Sequence, residues 1–261
     1  DDGSAAQGEG GAMDVKCDRE TLAGAQLCFA LASRLLYCEP DDAELTMQME
    51  EHLFAEAPFG IEHPQVCEGL AAMDAWCADA ATESPDARSE RFSALRREWF
   101  RLFVGAGTPD APSWESYYTD PNSQLFSVRT LEVRAWYQRY GLELERLHAE
   151  LDDNLGLMLG FVSHLIDLEG EAMAAGDEAR ARTLADDEET FMTEHILPWL
   201  SAWRYSALKH ATSAYFRGLV AFVFGLCACY AERFGVVFDE DAQAFKRAIR
   251  WAERAEGPIM D

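Results

Sequence analysis

Apolar residues recur three and four positions apart through most of this chain, while the two-residue alternation of a half-buried strand is scarce. That periodicity restricts the fold to packed helices. Asp18 is placed to cap a helix from Arg19 that carries Leu22, Leu27, Leu31 and Leu35 and stops before Pro40. A second helix is predicted from Asp42 to Ala55, ahead of Pro58. A third runs over Pro64–Ala80 with Val66, Leu70, Met73 and Cys77 in phase, and a fourth follows Pro85 with Phe92, Leu95, Trp99, Leu102 and Phe103. Gly105 to Gln124 reads as a long loop, and loops of about 15 residues or more are usually functional or disordered. Its aromatic residues, Trp114, Tyr117 and Tyr118, favour a loop packed onto the protein. Helices resume at Arg129–Tyr140, closed by Gly141, then at Asp153–Ala175, Glu178–Leu197 (ended by Pro198), Ala211–Phe234 and Glu240–Ala255. The predicted fold is all-α, a single bundle of about nine or ten helices.

The chain has 261 residues, enough to bury a large core, and no composition break or internal repeat divides it. Residues 1–12, small and acidic, read as a disordered tail, and residues 13–261 as one helical domain. No secretory signal is visible. The most apolar stretch, Gly218–Tyr230, is 13 residues long and reads as a core helix, so no stable membrane insertion is expected. Seven cysteines without a C-x-x-C pair, several in apolar surroundings, read as reduced core thiols and a cytoplasmic setting.

Charge narrows the partners. The formal net charge is −25, and residues 141–200 alone carry 15 acids against 3 bases. A chain this acidic is unsuited to nucleic acid or anionic lipid, where binding begins with Lys and Arg on phosphate. It suits a cationic partner, or acidity serves only solubility. Enzyme motifs are missing: no phosphate loop, no dinucleotide-binding glycine pattern, no nucleophile elbow and no H-E-x-x-H occur. One E-x-x-H, Glu145 to His148, stands alone where a di-metal bundle needs two, so no metal and no cofactor are expected. Asp186-Asp187-Glu188-Glu189 reads as a solvated helix start.

Two constellations remain. Trp99-Phe100-Arg101-Leu102-Phe103-Val104-Gly105 precedes Pro112-Ser113-Trp114-Glu115-Ser116-Tyr117-Tyr118, and Glu150-Leu151-Asp152-Asp153-Asn154 opens the apolar run Leu155–Ile166. The aromatics of the first suit either a core or an apolar groove. In the second, Asp152 or Asp153 suits a helix cap. Taken with Val128-Arg129-Thr130 through Tyr137, His195-Ile196-Leu197-Pro198-Trp199 and Tyr215-Phe216-Arg217-Gly218-Leu219, these pieces stand in one order across the chain. In that order they resemble the cytoplasmic chaperones of twin-arginine-exported molybdoenzymes, the TorD/DmsD type. Leu151 stands where that family has Pro, Asn154 where it has His, and Glu115 where it has a small Gly.

The resemblance implies a chaperone and not an enzyme. Its partners would be the twin-arginine leader peptide and the apo catalytic subunit of a molybdenum-cofactor oxidoreductase of the DMSO- or TMAO-reductase kind, held until cofactor insertion and export. It places leader binding at Trp99, Leu102, Phe103, Pro112, Trp114, Glu115, Ser116, Tyr117, Asp152, Asp153 and Asn154. Carboxylates at Asp153, Asp152 and Glu115 suit guanidinium groups, and the aromatic residues suit an apolar stretch or a stacked arginine. Some relatives exchange helices to form homodimers, and nothing in this sequence decides for or against that. The competing readings are an acidic helical adaptor or regulatory protein for another basic partner, and a small-molecule or metal enzyme of the helical-bundle type.

Overall fold

A computed structural model describes residues 18–119, 127–143 and 151–236. Among them are ten α-helices: α1 (Arg19–Tyr37), α2 (Asp42–Glu50), α3 (Pro64–Thr82), α4 (Pro85–Trp99), α5 (Glu115–Thr119), α6 (Val128–Arg139), α7 (Leu155–Ala175), α8 (Glu178–Phe191), α9 (Leu197–His210) and α10 (Ala214–Glu232). No strand occurs among the described residues; a lone antiparallel bridge joins Trp114 to Asn154. The expected tail over residues 1–12, the Glu145–His148 motif and the helix over Glu240–Ala255 lie outside the described residues.

Helix ends follow local chemistry. Asp18, Asp41, Ser84, Ser127, Asn154, Asp177 and Ser213 each accept a hydrogen bond from a free N–H of the first turn. Gly176 ends α7 in the left-handed region at φ 73°, which glycine enters without a Cβ clash.

Two antiparallel helix pairs organise the bundle. In the first, α1 lies on α7. Ser163 donates to the Gln26 carbonyl, and a Cβ on Gly156 would meet Tyr37 at 2.7 Å. In the second, α3 lies on α10 backbone to backbone: a Cβ on Gly69 would sit 2.5 Å from the Gly218 carbonyl oxygen, and one on Gly218 would sit 2.6 Å from that of Gly69. α8 packs on α7, and α9 packs on α10. Between them lies an aromatic core. Phe29 meets Tyr230 edge-on, Phe103 stacks on Trp203, and Phe161 meets Phe191 edge-on. α10 runs for 19 residues, longer than its apolar core of 13, and so has the length and composition of a membrane span; 78% of its most apolar window is buried inside the bundle. The described cysteines are unbridged, and burial raises the thiols of Cys28 and Cys77 to about 11 and about 12.

Four expectations about elements are corrected. α2 ends at Glu50, because the chain turns through His52 at φ 50° and Phe54 is drawn into the core. The loop Gly105–Gln124 contains α5. Pro198 opens α9 instead of ending α8: a π turn, Met192–Ile196, separates the two helices and delivers the chain to Pro198 at the first turn, where a missing N–H costs nothing. Asp186–Glu189 is not a solvated helix start. Glu188 is fully buried on the last turns of α8 and accepts hydrogen bonds from Tyr230 of α10 and from Arg233 just beyond that helix.

Candidate functional site

The fourth helix ends in a π turn, Phe100–Val104, closed by Gly105 at φ 66°. The widened turn leaves carbonyls free to hold the following loop: Asp110 donates its N–H to the Arg101 carbonyl (3.1 Å) and Ala111 to that of Leu102 (2.8 Å). The loop then crosses to the start of α7. Leu155 donates to the Ser113 carbonyl (2.7 Å), and Glu115 donates to the Asp153 carbonyl (3.0 Å). Ser113 and Pro112 are buried, so this segment forms part of the wall of the bundle.

Asp153 is the fastening point. It is fully buried; Oδ2 accepts the Ser116 N–H at 2.8 Å, and Oδ1 accepts the Thr130 hydroxyl at 3.1 Å. It therefore joins α5, α6 and the entrance of α7 through one carboxylate. The cap of α7 is Asn154, whose side chain accepts from Gly156 at 2.9 Å, and neither of the two aspartates predicted for that role fills it. Asp152 takes Arg134 of α6 at 2.7 and 3.1 Å, and Tyr137 donates its hydroxyl to the Asp152 carbonyl (2.9 Å). Both acids are already engaged within the chain.

Glu115 is also fully enclosed. Its Oε2 lies 3.0 Å from His195 Nδ1, on the π turn before α9. Its Oε1 has no hydrogen-bond partner; the Arg129 guanidinium stands 3.7 Å away. Burial raises the Glu115 carboxyl above the ordinary range, against the pull of His195 and Arg129.

The predicted aromatic residues separate into two groups. Leu102 and Phe103 belong to the core and do not line a surface. Trp99 is partly buried and donates its indole N–H to the Leu36 carbonyl at 3.0 Å. Trp114 and Asn154 are bridged and partly open, and Tyr117 is 40% exposed beside Tyr118, which stacks on Trp199. Trp99, Trp114 and Asn154 share the end of the bundle where α1 finishes and α7 begins.

On the other side of Glu115 lies a groove of about 800 Å³ between α6 and the turn joining α8 to α9, lined by Arg129, Trp136, Arg139, Glu194 and His195 among others. Arg129 and His195 stand in the sequence motifs and Trp136 on the predicted helix from Arg129 to Tyr140, but neither these nor Arg139 are among the expected site residues. The spacing of Arg129, Glu132, Trp136 and Arg139 along one helix face was the available signal. No group of three metal-ligating side chains is found among the described residues.

Fold and site together define a helical bundle of the TorD/DmsD type, with its loop, acidic corner and His-Pro-Trp turn brought into one region. Residues 63–204 match the sequence model of the nitrate reductase delta subunit family, and the chain belongs to that family. It is 25% identical over 189 residues, 70% of this chain and 86% of the relative, to the Tat proofreading chaperone DmsD of Salmonella typhimurium, and 24% identical over the same length to that of Salmonella typhi. A structure of an Archaeoglobus fulgidus protein assigned to redox enzyme maturation matches with TM-score 0.42 at 16% identity, over 76% of this chain and 90% of that one. The family resemblance read from the ordered motifs is borne out.

Proposed function

We propose that this protein is a cytoplasmic maturation chaperone that binds the twin-arginine leader and the apo catalytic subunit of a molybdenum-cofactor oxidoreductase, without catalytic activity of its own. The observation that carries the reading is the match to Tat proofreading chaperones over most of both chains. The geometry supports it in kind. The net charge of −25 suits a basic leader, Trp99, Trp114 and Tyr117 are partly open to an apolar stretch, and Glu115 is a buried carboxylate behind Arg129 and His195, which line a groove. Pro112, Ser116, Asp152 and Asp153 shape this surface from beneath, Asn154 at its edge, and Leu102 and Phe103 support it from the core.

The test is capture of the tagged protein from cells grown anaerobically, with every bound chain identified. A molybdoenzyme catalytic subunit recovered with its twin-arginine leader uncleaved is the expected result. Its absence from the capture, while the apo-enzyme is present in the lysate, would overturn the reading in favour of an adaptor for another basic partner.

A further inference from the structure

The groove on α6 already contains two arginines seated as incoming arginines would be. Arg129 bonds Glu132 at 3.1 Å and forms an ion pair, at 3.7 Å, with the buried Glu115 oxygen that accepts no hydrogen bond. Arg139 forms an ion pair with Asp187 at 2.8 Å, whose Oδ2 also accepts the Tyr140 hydroxyl, and its guanidinium lies 5.1 Å from the Trp136 ring centroid and 5.8 Å from that of Tyr140. In both seats the acid is enclosed and the arginine is not: Glu115 and Asp187 side chains are 1% and 11% exposed, Arg129 and Arg139 45% and 52%. The two arginines stand ten positions apart on the helix, about 15 Å along α6. Adjacent arginines on an extended peptide project to opposite sides, which spreads their guanidinium groups toward the two ends of such a groove.

We infer that Arg129 and Arg139 are internal stand-ins for the leader's two arginines, occupying in the free protein the carboxylate and aromatic seats that the leader takes on binding. The inference rests on the proposed function and adds its mechanism. An enclosed carboxylate without a cation is costly, so the free protein keeps each seat filled with a side chain that can swing out to water. Binding is then an exchange of one guanidinium for another. The exchange limits the electrostatic gain and rejects basic peptides that cannot reproduce planar, stacked contacts. A lysine pair fits such seats poorly, because an ammonium neither forks onto a carboxylate nor stacks as a plane.

The test uses the full chain, a fluorescent peptide with two adjacent arginines followed by an apolar stretch, and its twin-lysine counterpart. Arg129→Gln and Arg139→Gln are each expected to tighten the twin-arginine peptide by roughly two- to fivefold, the range of an exposed ion pair. Arg97→Gln, which removes the same charge from α4, is expected to leave affinity unchanged. Side-chain nitrogen NMR supplies a second readout: the Arg129 and Arg139 Nε–H signals should move to solvent-like shifts at peptide saturation. Unchanged or weaker binding in both variants, or arginine signals that stay put on saturation, overturns the stand-in role while leader binding by the wild type keeps the function intact. Failure of every form to bind the peptide overturns both.

Discussion

Asp153 makes three connections from one residue: a backbone carbonyl to Glu115, and one carboxylate oxygen each to Ser116 and Thr130. Removing the carboxylate leaves a buried N–H and a buried hydroxyl without partners, and hydrogen bonds to a charged group are worth about 1.5–3 kcal/mol each. Asp153→Ala is expected to lower unfolding stability by about 3 kcal/mol, read as a drop in urea midpoint at constant slope. Asn154→Ala, which loses only a helix cap, should cost about 1 kcal/mol. Equal losses in the two variants would deny Asp153 its role as fastening point. Three consecutive residues with the same capping chemistry explain why the sequence could not tell them apart. Local propensity ranks Asp152, Asp153 and Asn154 alike, and only the arrival of Ser116, Thr130 and Arg134 from elsewhere assigns each its partner.

Element boundaries were legible wherever a cap, a glycine or a proline acts on its own neighbours. The starts of α1, α2 and α3 and the turn at Gly176 follow from the sequence for that reason. The division between α8 and α9 does not. A proline reads equally as a stop or a start, and the π turn that decides between them is set by the burial of His195 and Trp199. The inner face of α8 was hidden for a similar reason, since the cation facing Glu188 comes from just beyond α10. Arg233 reaches Glu188 at 3.1 Å and Glu169 of α7 at 2.5 Å, and Tyr230 donates to Glu188 at 2.5 Å. One oxygen on each glutamate, Glu169 Oε2 and Glu188 Oε1, is buried without a partner, an arrangement that a single proton between the carboxyls satisfies. Desolvation first, and the neighbouring Glu169 second, raise Glu188 from 4.5 to about 8. The folded state thus keeps a proton that the unfolded chain gives up, and this group's contribution to stability falls as pH rises from about 4.5 to about 8. Glu188→Gln, which cannot titrate, should gain on the wild type steadily across that window in thermal melts. A difference between the two that stays constant with pH would remove the shared proton.

For the whole molecule the question is whether an excess of 25 negative charges serves an encounter or only solubility. Asp167 and Glu171 on α7 and Glu178 and Asp186 on α8 are exposed, so the field of these helices acts on solvent. The groove seats, by contrast, work at contact distance around enclosed carboxylates. Salt separates the two. Screening length falls from about 10 Å at 0.1 M to about 3 Å at 1 M, which erases long-range attraction and affects partly buried pairs much less. Stopped-flow mixing with the twin-arginine peptide is therefore expected to show an association rate falling about tenfold or more across that range, with a dissociation rate changing far less. A rate of association indifferent to salt would assign the acidity to solubility and leave recognition to the groove alone. A dissociation rate that carries most of the salt dependence would instead mean that the surface acids hold the bound leader, and the exchange of arginines on α6 would lose its place as the step that fixes affinity.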